Sequence, residues 1–347
     1  MKALIGMSGG VDSSVAVYLA KEAGLVCIGG TMLLHDSTPE AALDAEAVAK
    51  RMGIPFHVFD LSDRFREAVM DNFVDAYEQG LTPNPCIVCN RYLKFGAFLD
   101  IAREMGCDYV VTGHYARIEE ENGRFLLKKA ADEPKDQTYF LYMLTQAQLK
   151  HSLFPLGGLT KAEARAIAEA QGFVTAKKQD SQDICFVPDG DYMAFMARHA
   201  VKTYEPGDFL DLQGRVVGRH RGAVGYTLGQ RKGLGLAMGA PVYVCGKDMA
   251  ANTVTVGPNE ALFHNALRAN DWNWIAIECL TEPLRVTAKA RSRHAEQPAT
   301  VYPMEGGLAR VEFDTPQRAI TPGQAVVLYD GDTVIGSGTI TQVLSQC

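Results

Sequence analysis

The first 112 residues alternate short apolar runs with amphipathic stretches. Lys2–Met7 predicts a buried strand, and Asp12–Ala23 a helix patterned by Val15, Tyr18 and Leu19. Leu25–Leu33 predicts a second strand, Glu40–Met52 a helix, Phe56–Phe59 a third strand and Phe65–Glu78 a helix. A Pro-rich loop precedes a helix near Tyr92–Glu104 and a strand at Asp108–Thr112. Repeated β-α units build a parallel sheet covered on both faces, and such sheets bind ligands beyond the carboxyl ends of their strands. Ser8–Asp12, Leu33–His35 and Gly113–Tyr115 each follow a strand and should converge on one crevice.

Beyond this region the periodicity changes. Glu119–Lys128 reads as a hairpin around the turn dipeptide Asn122-Gly123. Helical patterns return at Thr138–Leu149, Lys161–Gln171 and Tyr192–Ala200. From Glu205-Pro206-Gly207 onward, short alternating strands with Gly and Pro punctuation run to the end. The expected fold class is α/β: a doubly wound, mostly parallel sheet followed by small β domains, the last a β-barrel. The division expected is 1–203, 204–265 and 266–347, with the last boundary inside Glu260–Asp271.

Composition narrows the setting. At 347 residues, 47% hydrophobic and 22% charged, the chain is an ordinary multidomain globular protein. No apolar run reaches membrane-spanning length and no signal-peptide plan opens the chain, so a cytoplasmic protein without membrane partners is expected. A net charge of −7 argues against indiscriminate nucleic-acid binding but permits a local basic face. Gln213–Ala240 has no acidic residue while carrying Arg215, Arg219, His220, Arg221, Arg231 and Lys232, and Leu284–Ala295 carries Arg285, Lys289, Arg291, Arg293 and His294. Either stretch reads as a phosphate-binding surface or as a solvated β face. The eight cysteines are scattered, which disfavours a structural disulfide framework in a reducing compartment.

Candidate chemistry begins at Ser8-Gly9-Gly10-Val11-Asp12-Ser13-Ser14, set between the first strand and helix. Adjacent glycines permit close backbone approach to an anion, and hydroxyls, N–H groups and the helix dipole favour negative charge there. The Gly-Lys-Ser/Thr ending of a Walker loop is absent. The run resembles the pyrophosphate loop of the ATP pyrophosphatases, which split ATP between its α- and β-phosphates and adenylate a substrate. Cys89, in Asn84-Pro85-Cys86-Ile87-Val88-Cys89-Asn90, is expected near the start of a helix, where the dipole, Arg91 and Lys94 should lower its pKa. A polar run, Lys177 to Asp183, leads to a further thiol at Cys185. The lone C-x-x-C is compatible with zinc, a redox pair or neither; no second C-x-x-C or paired His completes a zinc set.

Six segments occur together in order: Ser8–Ser14, Asn84–Asn90, Thr112–Tyr115, Lys135–Leu141, Asp180–Phe186 and Thr227–Gly235. Together they resemble the bacterial tRNA-specific 2-thiouridylases over essentially the whole chain. That resemblance implies a fold like the adenine nucleotide α-hydrolases, with the pyrophosphate-loop domain carrying the cysteines. It also implies ATP-dependent replacement of the C2 oxygen of the wobble uridine in tRNA by sulfur. ATP and Mg²⁺ would meet Gly6, Met7, Ser8, Gly9, Gly10, Val11, Asp12, Ser13, Met32 and Gly113. Cys185 would carry a persulfide supplied by a sulfur-donor protein or persulfide carrier, and Cys89 would act as nucleophile. Contacts to tRNA map to Asn84, Pro85, Cys86, His114, Lys135, Asp136, Gln137, Arg291, Ser292 and Gln324, with the base flipped out of its stack. Many relatives carry Asp where this chain has Cys86, so Cys86, Cys89 and Cys185 form an alternative set of iron–sulfur ligands. Rival readings are another adenylating enzyme, such as an NAD or GMP synthetase or argininosuccinate synthase, a tRNA-binding module with a vestigial ATP site, and a related thiolase acting elsewhere in tRNA.

Overall fold

The computed structural model describes residues 1–35, 39–178, 184–200 and 202–344. Among these, the strands Lys2–Gly6, Val26–Leu33, Phe56–Asp60, Tyr109–Val111 and Ser152–Leu153 form one parallel sheet. Their spatial order is third, second, first, fourth, fifth. The strand order reverses direction between Lys2–Gly6 and Tyr109–Val111, and a crevice opens beyond their carboxyl ends at such a reversal. Helix Val11–Glu22 buries Val15, Ala16 and Val17 against Ile5, Val111, Ala164 and Ala168. That packing fixes the helix start directly over the crevice.

Two helical expectations change. Thr138–Leu149 is two short helices, Thr138–Leu141 and Gln146–Lys150, because Thr145 caps the second through a reciprocal bond pair with Gln148. The helix expected near Tyr92 begins instead at Pro85, since proline suits a first helical turn, whose N–H would be unpaired anyway. It continues through a wide π-helical stretch, Asn90–Ala97, into Phe98–Glu104.

Residues 207–257 form a four-stranded sheet from Gly207–Leu210, Val216–His220, Tyr243–Asp248 and Thr253–Gly257, around Phe209, Val244 and Val254. Strands Phe263–Trp274, Leu284–Lys289, Gln297–Pro303, Ala309–Arg318, Ala325–Asp330 and Thr333–Leu344 follow. The first of these pairs with both Ala309–Arg318 and Thr333–Leu344, which closes a six-stranded barrel.

The expected hairpin is present as Arg117–Glu121 and Arg124–Lys128, with Asn122 and Gly123 both at positive φ. It does not stand alone. Lys128 pairs with Thr333 on the barrel, and Tyr139 and Leu127 share a core with Val327, Tyr329 and Val334. The barrel is thereby held against the parallel sheet, and its loops form part of the cavity described below.

One contact sets that spacing. Gly323 sits at φ 87°, and a Cβ there would lie 2.8 Å from Leu81 Cβ and 2.9 Å from Thr82 N. Thr82 N also donates to Pro322 O at 3.1 Å. Gly323→Ala is expected to cost about 1–3 kcal/mol of stability through strain and overpacking. Gly331→Ala, also at positive φ but with nothing within 4 Å, should cost less. Thermal melts followed by circular dichroism compare the two.

Candidate functional site

The Ser8–Asp12 turn is shaped by its glycines and its own hydroxyls. A Cβ on Gly9 (φ 67°) would lie 2.3 Å from the Ala41 carbonyl oxygen, so only glycine fits. Gly10 precedes the helix in extended backbone without a side-chain cap, leaving first-turn N–H groups without a capping acceptor. Ser8 N donates to Ser13 Oγ at 3.2 Å, Ser14 Oγ donates to Gly10 O at 2.8 Å, and Ser14 Oγ meets Thr175 Oγ1 at 2.9 Å. Gly113 lies directly on this turn, because a Cβ there would be 2.7 Å from Ser13 N. Met7 N donates to Gly30 O at 2.8 Å, and Met32 packs half-buried at the end of its strand between two cores. Gly6 closes the central strand and Val11 is buried at the helix start. The ten positions expected to meet ATP thus gather at one end of the sheet.

Asp12 has partners that its own segment did not announce. Lys161 Nζ lies 2.7 and 2.8 Å from its two carboxylate oxygens, and Tyr115 Oη donates to Oδ1 at 2.9 Å. Lys178 Nζ reaches Gly9 O at 3.0 Å and Asp44 Oδ2 at 2.5 Å. Lys161 opens a helix capped by Thr160 and Glu163, a start signal visible in sequence, but nothing local pointed it at a residue 149 positions away.

Beside the loop lies a cavity of about 470 Å³ lined by Asn84, Pro85, Cys86, His114, Gln137, Ser292 and Gln324, with Asn90, Lys94, Tyr192 and Arg293. Seven of the ten positions expected to meet RNA are therefore neighbours. Lys135, Asp136 and Arg291 stand outside this wall. Asp136 organises its own turn, accepting from Ala130 N and Thr138 Oγ1, and burial raises its pKa. Arg291 is held inward by Leu228 O at 3.1 Å and Thr321 Oγ1 at 2.5 Å. Gln324 Nε2 donates to Thr82 O at 2.7 Å, two residues before Asn84. His114 is buried between Phe95 and Phe154, bonded through Nδ1 to Thr112 Oγ1 at 2.7 Å. Burial pushes its pKa well below the usual histidine value, with Lys94 adding to that, so its ring is neutral at pH 7.

Of the three thiols Cys86 lines this cavity, and Cys89 shares a core with Ile184 and Phe186, the residues on either side of Cys185. Cys86 and Cys185 are exposed, and Cys89 is buried among Leu93, Phe186 and Phe73. Cys89 ends the Pro85–Cys89 helix rather than starting one, and Arg91 turns away to Asp271 at 3.3 Å. Its pKa is raised by burial, against the lowering expected from the sequence, and Lys94 opposes that rise. Burial, with Cys89 and Cys86 nearby, pushes Cys185 up to about 11. Cys185 therefore senses both other thiols across nearly a hundred residues of chain. Only the thiolate alkylates, so labelling of Cys185 by iodoacetamide should accelerate about tenfold per pH unit between about pH 8 and 10. Mass spectrometry of the labelled peptide gives the profile; a plateau near pH 8.5 would contradict the placement. The segment Asp180–Asp183 lies outside the described residues.

Among the described residues, no three His, Cys, Asp or Glu side chains stand together as a metal ion requires. Several cations of the acid-free stretches are met by acids from elsewhere: Arg215 by Asp211 at 2.7 Å, Arg219 by Asp208 at 3.6 Å and Arg285 by Asp314. Arg231, Lys232 and Arg293 remain exposed. Among the described residues no helix is long and apolar enough to cross a membrane.

Comparison with known proteins decides the family. Residues 1–189 match the tRNA methyl transferase HUP domain, 193–258 its PRC-barrel domain, and 264–340 the aminomethyltransferase β-barrel domain. The tRNA-specific 2-thiouridylase MnmA of Symbiobacterium thermophilum is 50% identical, covering 99% of this chain and 93% of the relative. This chain belongs to the tRNA-specific 2-thiouridylase family. The Acetivibrio thermocellus 2-thiouridylase is 48% identical over 98% of this chain and 99% of its own. A 4-thiouridine synthetase–RNA complex with bound ATP aligns with a TM-score of 0.38 and 19% identity, covering 54% of this chain and 45% of that one.

Proposed function

We propose that this 2-thiouridylase-family chain converts the wobble uridine of tRNA to 2-thiouridine, first adenylating its C2 oxygen with ATP and then delivering sulfur from a cysteine persulfide. The observation that carries the reading is that Cys89 packs with Ile184 and Phe186, the neighbours of Cys185, while Cys86 and Ile184 line the adjoining cavity. A uridine oxygen is a poor leaving group. Transfer of AMP to it releases pyrophosphate, and the loop N–H groups with Lys161 and Lys178 supply the positive field such a product needs.

Asp12 is a partly exposed oxygen donor at the helix start, which fits the ligand chemistry of Mg²⁺. Bound with ATP there, Mg²⁺ would spread charge on the phosphates.

Sulfur delivery balances as follows. The Cys89 thiolate attacks the inner sulfur of Cys185–S–SH, a disulfide forms between the two cysteines, and hydrosulfide leaves. Hydrosulfide adds to C2 and AMP departs with its oxygen. A two-electron thiol reductant then reopens the disulfide. The cysteine β-carbons must approach to about 3.5–4.5 Å for that bond. The domain names carry "methyl transferase", but the neighbouring thiols favour sulfur chemistry, as the full-length relatives are named.

The test is reconstitution with ATP, unmodified tRNA and a persulfide donor, followed by nucleoside analysis. Sulfur at another base, or methylation, would replace the reading.

A further inference from the structure

The cavity and the phosphate loop are joined by one short chain of hydrogen bonds. Gln137, in the cavity wall, donates from its backbone N to Tyr115 O at 2.9 Å and accepts from Tyr115 N at its Oε1 at 2.8 Å. Tyr115 is 2% exposed, and its hydroxyl donates to Asp12 Oδ1 at 2.9 Å. Lys161 Nζ closes the far side of Asp12 and lies 6.0 Å from the centre of the Tyr115 ring. The backbone of Tyr115 is thus clamped to the cavity wall while its side chain is clamped to the loop.

From this geometry we propose that Tyr115 is a positioning residue, holding Asp12 and the cavity wall in one register so that a bound base and the α-phosphate of ATP meet. The proposal rests on the functional reading above and extends it to a residue outside the expected ligand contacts. The rigidity is local. A buried hydroxyl bonded to a carboxylate fixes the carboxylate's orientation, and the two-point backbone clamp on Gln137 leaves Tyr115 no freedom to follow one site without the other. Gly113, two residues earlier, lies against Ser13 N, so the whole Gly113–Tyr115 turn is packed on the loop. Tyr115 does not line the cavity, and its hydroxyl bonds to Asp12 Oδ1. Its effect must therefore appear in turnover rather than in ligand affinity.

Tyr115→Phe removes only the hydroxyl and keeps the ring. In the full-length protein it should lower tRNA-dependent pyrophosphate release by roughly 10- to 100-fold in kcat, the range typical of residues that orient a ligand-bearing side chain. The KM for ATP and the tRNA Kd should stay within about twofold of wild type. Tyr139→Phe is the control, because it also deletes a buried tyrosine hydroxyl bond, to Ala325 O at 2.9 Å, and Tyr139 neither lines the cavity nor bonds to Asp12. It should leave kcat near wild type. Wild-type kcat in Tyr115→Phe overturns the inference, as does an equal kcat loss in Tyr139→Phe, and as does a rise in KM or Kd that accounts for the loss. Absence of tRNA-dependent pyrophosphate release from the wild type overturns the functional reading itself, and the inference with it.

Discussion

Cys185→Ser is expected to lower 2-thiouridine formation by at least about 1,000-fold while tRNA-dependent pyrophosphate release continues. A serine hydroxyl cannot carry a sulfane sulfur, so the second half of the reaction loses its donor. The first half uses the loop, Lys161 and Lys178, none of which involves this thiol. Cys185 is exposed, so the substitution leaves no buried void. Cys89→Ser should give a similar loss by removing the attacking thiolate, and the double variant should be little worse than either single one, as expected for residues acting in one step. Pyrophosphate release and nucleoside composition are measured on the same reaction. A loss of pyrophosphate release equal to the loss of thiolation would mean that the thiols serve adenylation instead.

Asp12→Ala is expected to act on the opposite half. Pyrophosphate release should fall by about 100- to 1,000-fold, comparable to removing a preorganised electrostatic group from a transition state. The tRNA Kd should change by less than about twofold, because Asp12 is not among the residues that line the cavity. Alanine also removes the carboxylate that Lys161 Nζ contacts at 2.7 Å, which costs stability. Asp12→Asn keeps the volume and one acceptor oxygen, so a shared loss of turnover in both variants separates chemistry from folding. Weakened tRNA binding in the asparagine variant would place Asp12 among the RNA contacts.

The parts of this architecture that depend on local pattern were legible in the sequence. The alternation from Lys2 to Thr112 gave the parallel sheet, and strand ends located Ser8–Asp12 and Gly113–Tyr115 at one crevice. The Asn122-Gly123 turn located its hairpin. What stayed hidden is whatever requires two distant segments to be seen together. The hairpin adds its strands to the barrel at Thr333, and no residue in it signals that partner. Lys161 and Tyr115 close on Asp12 from positions 149 and 103 residues away. The acid-free stretches looked more basic than they are, because Asp208, Asp211 and Asp314 reach them from outside. Cys89 was expected to be acidified by a helix start. The helix begins four residues earlier, at Pro85, and the thiol is buried, so desolvation outweighs the pull of Lys94.

The central claim is that ATP activation and sulfur transfer occur at one uridine between the loop and the thiols. Nucleoside mass spectrometry on tRNA treated with the purified protein, a persulfide donor and ATP tests it most directly. The account requires 2-thiouridine in place of the wobble uridine, with AMP and pyrophosphate formed in equal amount to it and no product when ATP is omitted. Thiolation that proceeds without ATP, or that survives in Cys185→Ser at the wild-type rate, would contradict it.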